Sequence, residues 1–448
     1  GLLPANPAQP LPLSIPSPFP NSFFRHDLTP NSCPEKSGAA QKHPEILLAS
    51  RQWSIQTYEA IVGWGRSVGA DLTGNPDYQW LDARFRRYRQ APVIINRKRK
   101  LQVLTHRWHV PHQFELYKTG HDFTLLTHTG TALCDHWEHQ KRPIPSNARM
   151  ISADQVDPRE FDLAILHFDE NALRPDLCNG KVPDDWGRTL RWFIDNVDLP
   201  KVAICHGTPQ FVGQYNGDYK GDDLGQVLEA ERNAIVNLLG DIRVVCNSNQ
   251  AQFEWGFKNS RTIWHGFSPH EYPPGSHDRG ILVMPEDALR NRPHYNGRFV
   301  YENVLNLVGN QLKLEHLKTP DPLSGYLHGP PEWAVAKYQN YAREVGRYGV
   351  YFNPTVRSPM PRARGEAMMA GLVSVSLRNH DVDLFIKNGV NGFYADTPGE
   401  LAEQLIWLAD RPDARMKIGR ASRTTAMDVF NQDRYLSSWR ELLNEISL

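Results

Sequence analysis

Val350-Tyr351-Phe352, Asn353-Pro354-Thr355, the loop Arg357-Ser358-Pro359-Met360-Pro361-Arg362-Ala363-Arg364, the run Gly365-Glu366-Ala367-Met368-Met369-Ala370-Gly371 and then Val373-Ser374-Val375-Ser376 follow in close succession in a chain of 448 residues. The first segment is apolar and aromatic, as a strand buried in a parallel sheet should be, and Pro354 cannot continue a ladder. The run from Gly365 is rich in helix formers and closes on a glycine suited to a C-cap. A second strand follows at once, so the segment predicts a strand–loop–helix–strand unit. The loop places three guanidinium groups within eight residues, just ahead of the predicted helix. In an open parallel sheet ligands sit beyond the carboxyl ends of the strands, where helix N-termini favour anions. Arginines pair bidentately with phosphate, and a carboxylate near the helix start can accept from ribose hydroxyls.

Working outward, apolar strands alternate with helices in the manner of α/β proteins. The predicted strands are Leu101 to Thr105, Asp122 to Leu126, Phe161 to His167, Lys201 to Cys205, Arg243 to Cys246, Thr262 to Trp264 and Gly280 to Met284. Helices are predicted at 112–118, 188–196, 224–239, 398–409 and 434–445, and the stretch 313–331 reads as irregular. Tyr272-Pro273-Pro274-Gly275-Ser276 reads as a hinge. At about 100–200 residues per domain, the length predicts two principal domains with appendages.

The residues from 350 to 393, including Glu366 to Gly371 and Asp383 to Phe393, resemble the donor-binding signature of GT-B glycosyltransferases, in particular the retaining family 4. That resemblance implies two Rossmann-like domains facing a central cleft and glycosyl transfer from a nucleotide sugar to a hydroxyl. Glu366 takes the place of the glutamate that binds the donor ribose. The position eight residues earlier, usually a glutamate on the transferred sugar, is Ser358. Arg292, in the loop after the first strand of the second domain, takes the place of a diphosphate-binding residue, with Arg290 or Arg298 as alternatives. Asn379, His380 and Asp383 fall where the donor sugar and phosphate are met, and Asn247-Ser248-Asn249 resembles a turn before the interdomain connection. The family generally needs no divalent ion, so no cofactor is expected.

The implied organisation is a Pro-rich leader at 1–45, a helical extension at 46–98, an acceptor domain at 99–275, a donor domain at 276–430 and a C-terminal helix at 431–448 crossing back to the first domain. Donor binding is assigned to Arg357, Ser358, Arg362, Arg364, Glu366, Asn379, His380 and Asp383, with His206, Arg292 and Glu366 at the reacting centre. As plain residues these have blander readings: Glu366 and Asp383 as helix caps, the arginines as surface charge. His206 ends a first-domain strand, where its ring can orient or deprotonate an acceptor hydroxyl, bond a donor oxygen, or fill a core contact. His106 and His109 are placed on the acceptor side. Their three-residue spacing with His112 invites a metal reading, but Pro111 interrupts and no Cys or paired carboxylate completes a tetrahedral set.

Lys plus Arg equals Asp plus Glu at 50 each, so net charge gives no argument for nucleic acid. The basic stretch 84–100 reads as a solvated face or a contact for anionic lipid. Cys33, Cys134, Cys178, Cys205 and Cys246 lack CxxC spacing, which points to a reducing cytoplasm. No run approaches the roughly 20 apolar residues of a membrane span, so a cytoplasmic protein is expected, with peripheral contact at the inner face of a membrane left open. The partners expected are a nucleotide sugar and a glycan, glycolipid or other hydroxyl acceptor, in polysaccharide or glycolipid assembly. Ser358 leaves a second reading open, an inactive GT-B-like nucleotide-sugar binding protein, and a nucleotide-sugar epimerase shares the same architecture.

Overall fold

The structure, a computed structural model, describes residues 100–127, 135–139, 141–173, 183–209, 224–317 and 331–447. The leader, nearly all of the extension with its basic stretch, and Cys33, Cys134 and Cys178 lie outside the described residues.

The first domain is built on a parallel sheet in the order β3-β2-β1-β4-β5-β6-β7. Its strands are β1 (Gln102–Thr105), β2 (Asp122–Thr127), β3 (Ala148–Ser152), β4 (Leu163–Phe168), β5 (Lys201–Cys205), β6 (Arg243–Cys246) and β7 (Ser260–Thr262). Helices α1 (Val110–Tyr117), α2 (Pro183–Asn196), α3 (Leu224–Leu239) and α4 (Asn249–Trp255) connect them. Side-chain alternation splits the strands between two cores: Leu104, Ala164, Leu166 and Ala203 on one face, Val103, Leu163, Ile165 and Val202 on the other.

The second sheet runs β12-β11-β10-β8-β9, again parallel. It comprises β8 (Arg279–Val283), β9 (Leu314–His316), β10 (Tyr348–Asn353), β11 (Val373–Leu377) and β12 (Phe393–Ala395). Its helices are α5 (Glu286–Asn291), α6 (Pro293–Asn296), α7 (Arg298–Val308), α8 (Pro331–Gly346), α9 (Arg362–Met369), α10 (Val382–Phe385), α11 (Pro398–Ala409) and α12 (Pro412–Val429). Gly371 closes the α9 turn at φ +88°, a left-handed conformation that glycine adopts without steric cost. The final helix, α13 (Gln432–Ile446), buries Tyr435, Leu436, Trp439, Leu442 and Leu443 in the core of the first domain.

Four differences from the sequence reading have local causes. The strand expected at Thr262 to Trp264 is Ser260–Thr262, because the Trp264 indole turns away to Asp381. The stretch read as irregular contains the edge strand β9, too short and polar to show periodicity. The edge strand β3, whose residues are only partly buried, lacks an apolar run. Helix α9 starts at Arg362 rather than Gly365, since Arg362 bonds Glu366 one turn on at 3.3 Å.

Candidate active site

Each sheet has one point where strand order reverses, between β1 and β4 in the first domain and between β8 and β10 in the second. A crevice opens at the carboxyl ends of the strands at such a point. The two crevices face each other across contacts such as Arg292 to Glu170 and Tyr295 to the His206 carbonyl.

On the first-domain rim, His106 follows β1, Asp169 and Glu170 follow β4, and His206 follows β5. His106 is buried and its Nε2 accepts the His167 amide at 3.3 Å. His206 Nε2 lies 3.0 Å from His167 Nδ1, and its ring stacks on Trp108 at a centroid distance of 5.7 Å. His109 is exposed at 6.2 Å from the His206 ring, while buried His112 meets it edge-on at 5.1 Å and His265 at 5.5 Å. Burial holds His106 at about 4, and burial with the neighbouring His106 holds His206 at about 3, so both rings are neutral at pH 7. Among the described residues no group of three or more His, Cys, Asp or Glu side chains is arranged to hold a metal ion.

On the second-domain rim, Arg292 caps the short α6, and its guanidinium lies over the Tyr295 ring at 3.8 Å. It crosses the cleft to bond Glu170, with Asp169 at 3.9 Å. Burial, which outweighs the Arg292 charge, together with Asp169 pushes the Glu170 carboxyl up to about 7. Gly207 lets Glu170 lie close to the backbone: a Cβ on it would sit 1.8 Å from Glu170 Oε2 and displace that carboxylate. Glu366 is buried, accepting from Arg142 and Arg362 at 3.3 Å each and from the Tyr341 hydroxyl at 3.1 Å. It is the fifth residue of α9, not its leader.

The arginine loop is not left waiting for anions, because the protein supplies carboxylates. Arg357 reaches Glu254 of α4 at 2.5 and 3.2 Å and the Pro209 carbonyl at 3.1 Å. Arg362 pairs with Glu366, stands 4.0 Å from Glu115 and lies over the Phe267 ring, while its Nε and Nη1 are buried with no hydrogen-bond partner among the described residues. Arg364 is wholly inside the domain, donating to Asn379 at 3.0 Å and lying over the Phe385 ring, and burial pushes it down to about 10. It therefore holds Asn379 from within the core instead of facing the cleft. Asn379 in turn donates to the Ser358 carbonyl at 3.3 Å.

His380 sits at φ +41° with Nδ1 3.3 Å from Ser248 Oγ, and burial with Arg357 and Arg364 holds it at about 3. Asp381, which the sequence reading passed over, accepts the Asn249 and Gln250 amides at 2.6 and 3.0 Å and the Trp264 indole at 2.8 Å. Asp383 is exposed in the first turn of α10, two residues after that carboxylate. Sequence reasoning also missed Arg142, Tyr341, Glu170, Gln113, His167 and Tyr295. Only Glu170 carried a usable signal, since Asp169-Glu170 directly follows a strand end.

No protein-family model matches the sequence, and no curated protein matches it. Solved structures do. Sucrose-phosphate synthase of Thermosynechococcus elongatus aligns with a TM-score of 0.52 at 14% identity, over 78% of this chain and 99% of that one. HepE of Anabaena, in complex with UDP-glucose, aligns with a TM-score of 0.51 at 13% identity, over 77% of this chain and all 100% of that one. TarM aligns over 63% of this chain at 14% identity with a TM-score of 0.43, and this chain spans 55% of its length. At these identities the likeness is one of fold. With two parallel, doubly wound sheets whose switch points face each other and a last helix returned to the first domain, the chain has the GT-B architecture.

Proposed function

We propose that this protein is a glycosyltransferase that moves a sugar from a nucleotide-sugar donor to a hydroxyl acceptor with retention of configuration, as a family 4 enzyme would, without a metal ion. The observation that carries this reading is the position of Arg292. It lies beyond a carboxyl-end crevice of the second sheet, directly opposite His206 and Glu170 on the first. A donor diphosphate entering there would take Arg292 from Glu170 and meet the free Nε and Nη1 of Arg362, with Glu366 below for the ribose. Buried guanidinium groups fixed before the reaction stabilise the departing diphosphate without reorganising. The acceptor would enter over Trp108 and His109, and the leaving phosphate oxygen would take the proton of the incoming hydroxyl.

Ser358, in place of a carboxylate, favours one second reading: a protein that binds nucleotide sugars and does not turn them over. Among the described residues no helix is long and apolar enough to cross a membrane. The deciding experiment incubates the protein with a panel of nucleotide sugars and measures thermal stabilisation and released nucleoside diphosphate, with Glu366→Ala alongside. Stabilisation by one donor with diphosphate release, both lost in the variant, supports transfer. Stabilisation without release in the presence of any acceptor supports the binding protein. Conversion of the donor alone to a second nucleotide sugar marks an epimerase, and no binding at all ends the nucleotide-sugar reading.

A further inference from the structure

The Glu366 carboxylate is approached from both domains. Arg362, one turn earlier in α9, and Tyr341 of α8 belong to its own domain and move with it. Arg142 does not. It lies on a first-domain loop whose Trp137 is buried in that domain's core and donates its indole N–H to the Arg142 carbonyl at 2.8 Å. Glu138 of the same loop pairs with Arg107 at 3.0 Å and with Lys141 at 2.8 Å. From this anchor the Arg142 guanidinium crosses the domain boundary. Its Nη1 donates to the Lys141 carbonyl at 2.6 Å, and the two hydrogens of Nη2 go to the Tyr272 hydroxyl at 2.9 Å and to Glu366 Oε1 at 3.3 Å. Tyr272 is part of the second-domain core.

An ionised carboxylate has about four acceptor positions, two on each oxygen. On Glu366, Arg142 and Arg362 take the positions of Oε1, and the Tyr341 hydroxyl takes one on Oε2. A single position remains, whereas a ribose presents two hydroxyl hydrogens. Arg142 and Glu366 are only 4% and 5% exposed, so the pair also bars the way to the carboxylate. Both oxygens can serve a ribose only after one of the three donors withdraws, and Arg142 is the one that parting of the domains removes. Glu366 then still has Arg362 as its cation, so no bare charge is left buried.

We propose that Arg142 is an affinity-determining residue of the donor site: it competes with the donor ribose for Glu366, so that the nucleotide binds to the parted cleft and is opposed by an arginine of the acceptor domain. The inference rests on the reading of Glu366 as the carboxylate that takes the ribose. It has a consequence opposite in sign to simple electrostatics, which would have any nearby cation help an anionic ligand to bind: here, removing a cation strengthens binding.

The test is calorimetric titration of the full chain with UDP, GDP and ADP, and with inorganic pyrophosphate as a ligand that has no ribose. Arg142→Met is expected to bind the preferred nucleoside diphosphate about tenfold more tightly than the wild type, the scale of one competing hydrogen bond to a charged group. Pyrophosphate should gain nothing, and in a Glu366→Ala background the substitution should give no gain for the nucleotide either. Circular dichroism identifies the variants that fold. Should Arg142→Met fail to fold, Tyr272→Phe removes the hydroxyl that accepts from Arg142 Nη2 and is expected to tighten nucleotide binding by a smaller factor. Nucleotide binding unchanged or weakened in the folded variants overturns the proposal and leaves the nucleotide-sugar reading standing. An equal gain for pyrophosphate, or a gain that persists without Glu366, overturns it as well. If no nucleoside diphosphate binds the wild type or any variant, the nucleotide-sugar reading fails and the proposal falls with it.

Discussion

Glu170 and the buried histidines pull the stability of this protein in opposite directions as pH changes. His106, His206 and His380 lie at about 4, 3 and 3 against an ordinary 6.5. Below pH 6.5 the unfolded chain therefore binds protons that the folded chain refuses, and the stability present above 6.5 is lost as pH falls towards 4. Glu170, raised to about 7 from 4.5, contributes stability that is complete below 4.5 and lost as pH rises through 7. Buried His112, His167 and His265 are lowered in the same sense and buried Glu115 is raised with Glu170, so the histidines outnumber the carboxyls and acidification below pH 6.5 gives a net loss. Urea midpoints across pH 5 to 8 are expected to fall on the acid side and to be nearly flat from 7 to 8. The same carboxyl makes a second prediction. A diphosphate that takes Arg292 strands Glu170 in a buried site without its cation, so binding at pH 7.5 should draw in up to about one proton. Calorimetry in buffers of different ionisation heat would show this, and Glu170→Gln should abolish it. Residue-scale chemistry was only half legible in the sequence. Arg292 and His206 could be placed because strand ends are visible locally, whereas the partner of Glu366, Arg142, lies 224 residues away.

At the scale of elements, buried parallel strands were the most readable feature. β5, β6 and β10 are continuous apolar runs because both of their faces are covered. The start of α9 was not readable, since Arg362 and Arg364 look like ligand groups in a loop until a helical turn brings Arg362 onto Glu366 and a core takes in Arg364. The loop before α9 and the helix α4 are joined by Arg357 and Glu254, both about nine-tenths buried. A double-mutant cycle of Arg357→Met and Glu254→Gln, followed by chemical denaturation, should give a coupling energy of roughly 0.5–3 kcal/mol. A coupling near zero would mean that the pair forms no contact in solution. Close approach also sets the connection between domains: a Cβ on Gly275 would lie 1.5 Å from the Gly346 carbonyl oxygen, so the expected hinge segment is pressed against the end of α8.

Over the whole molecule, the last helix completes the core of the first domain from the far end of the chain. Trp439 is fully buried among first-domain residues although it follows the entire second domain in sequence. Trp439→Ala should cost the first domain about 3–5 kcal/mol, seen as a loss of its unfolding midpoint while the second-domain transition stays in place. The crossing was anticipated only through family resemblance, because an amphipathic helix does not announce which core it will enter. The fold was legible from alternating strands and helices, but the closure of the cleft was not: it depends on pairs between domains that no local pattern encodes.

One such pair gives the closure a signature. The Asp381 carboxylate of the second domain accepts the Asn249 and Gln250 amides that open α4 in the first. The leading amides of that helix have no partner inside it. When the domains part, these two hydrogens pass to water, and when the domains meet they are withdrawn again. Deuterium uptake at Asn249 and Gln250 should therefore run at the frequency of cleft opening, slowing when a ligand bridges the cleft and quickening in Asp381→Asn. A helix in one domain thus keeps time for the movement of the other.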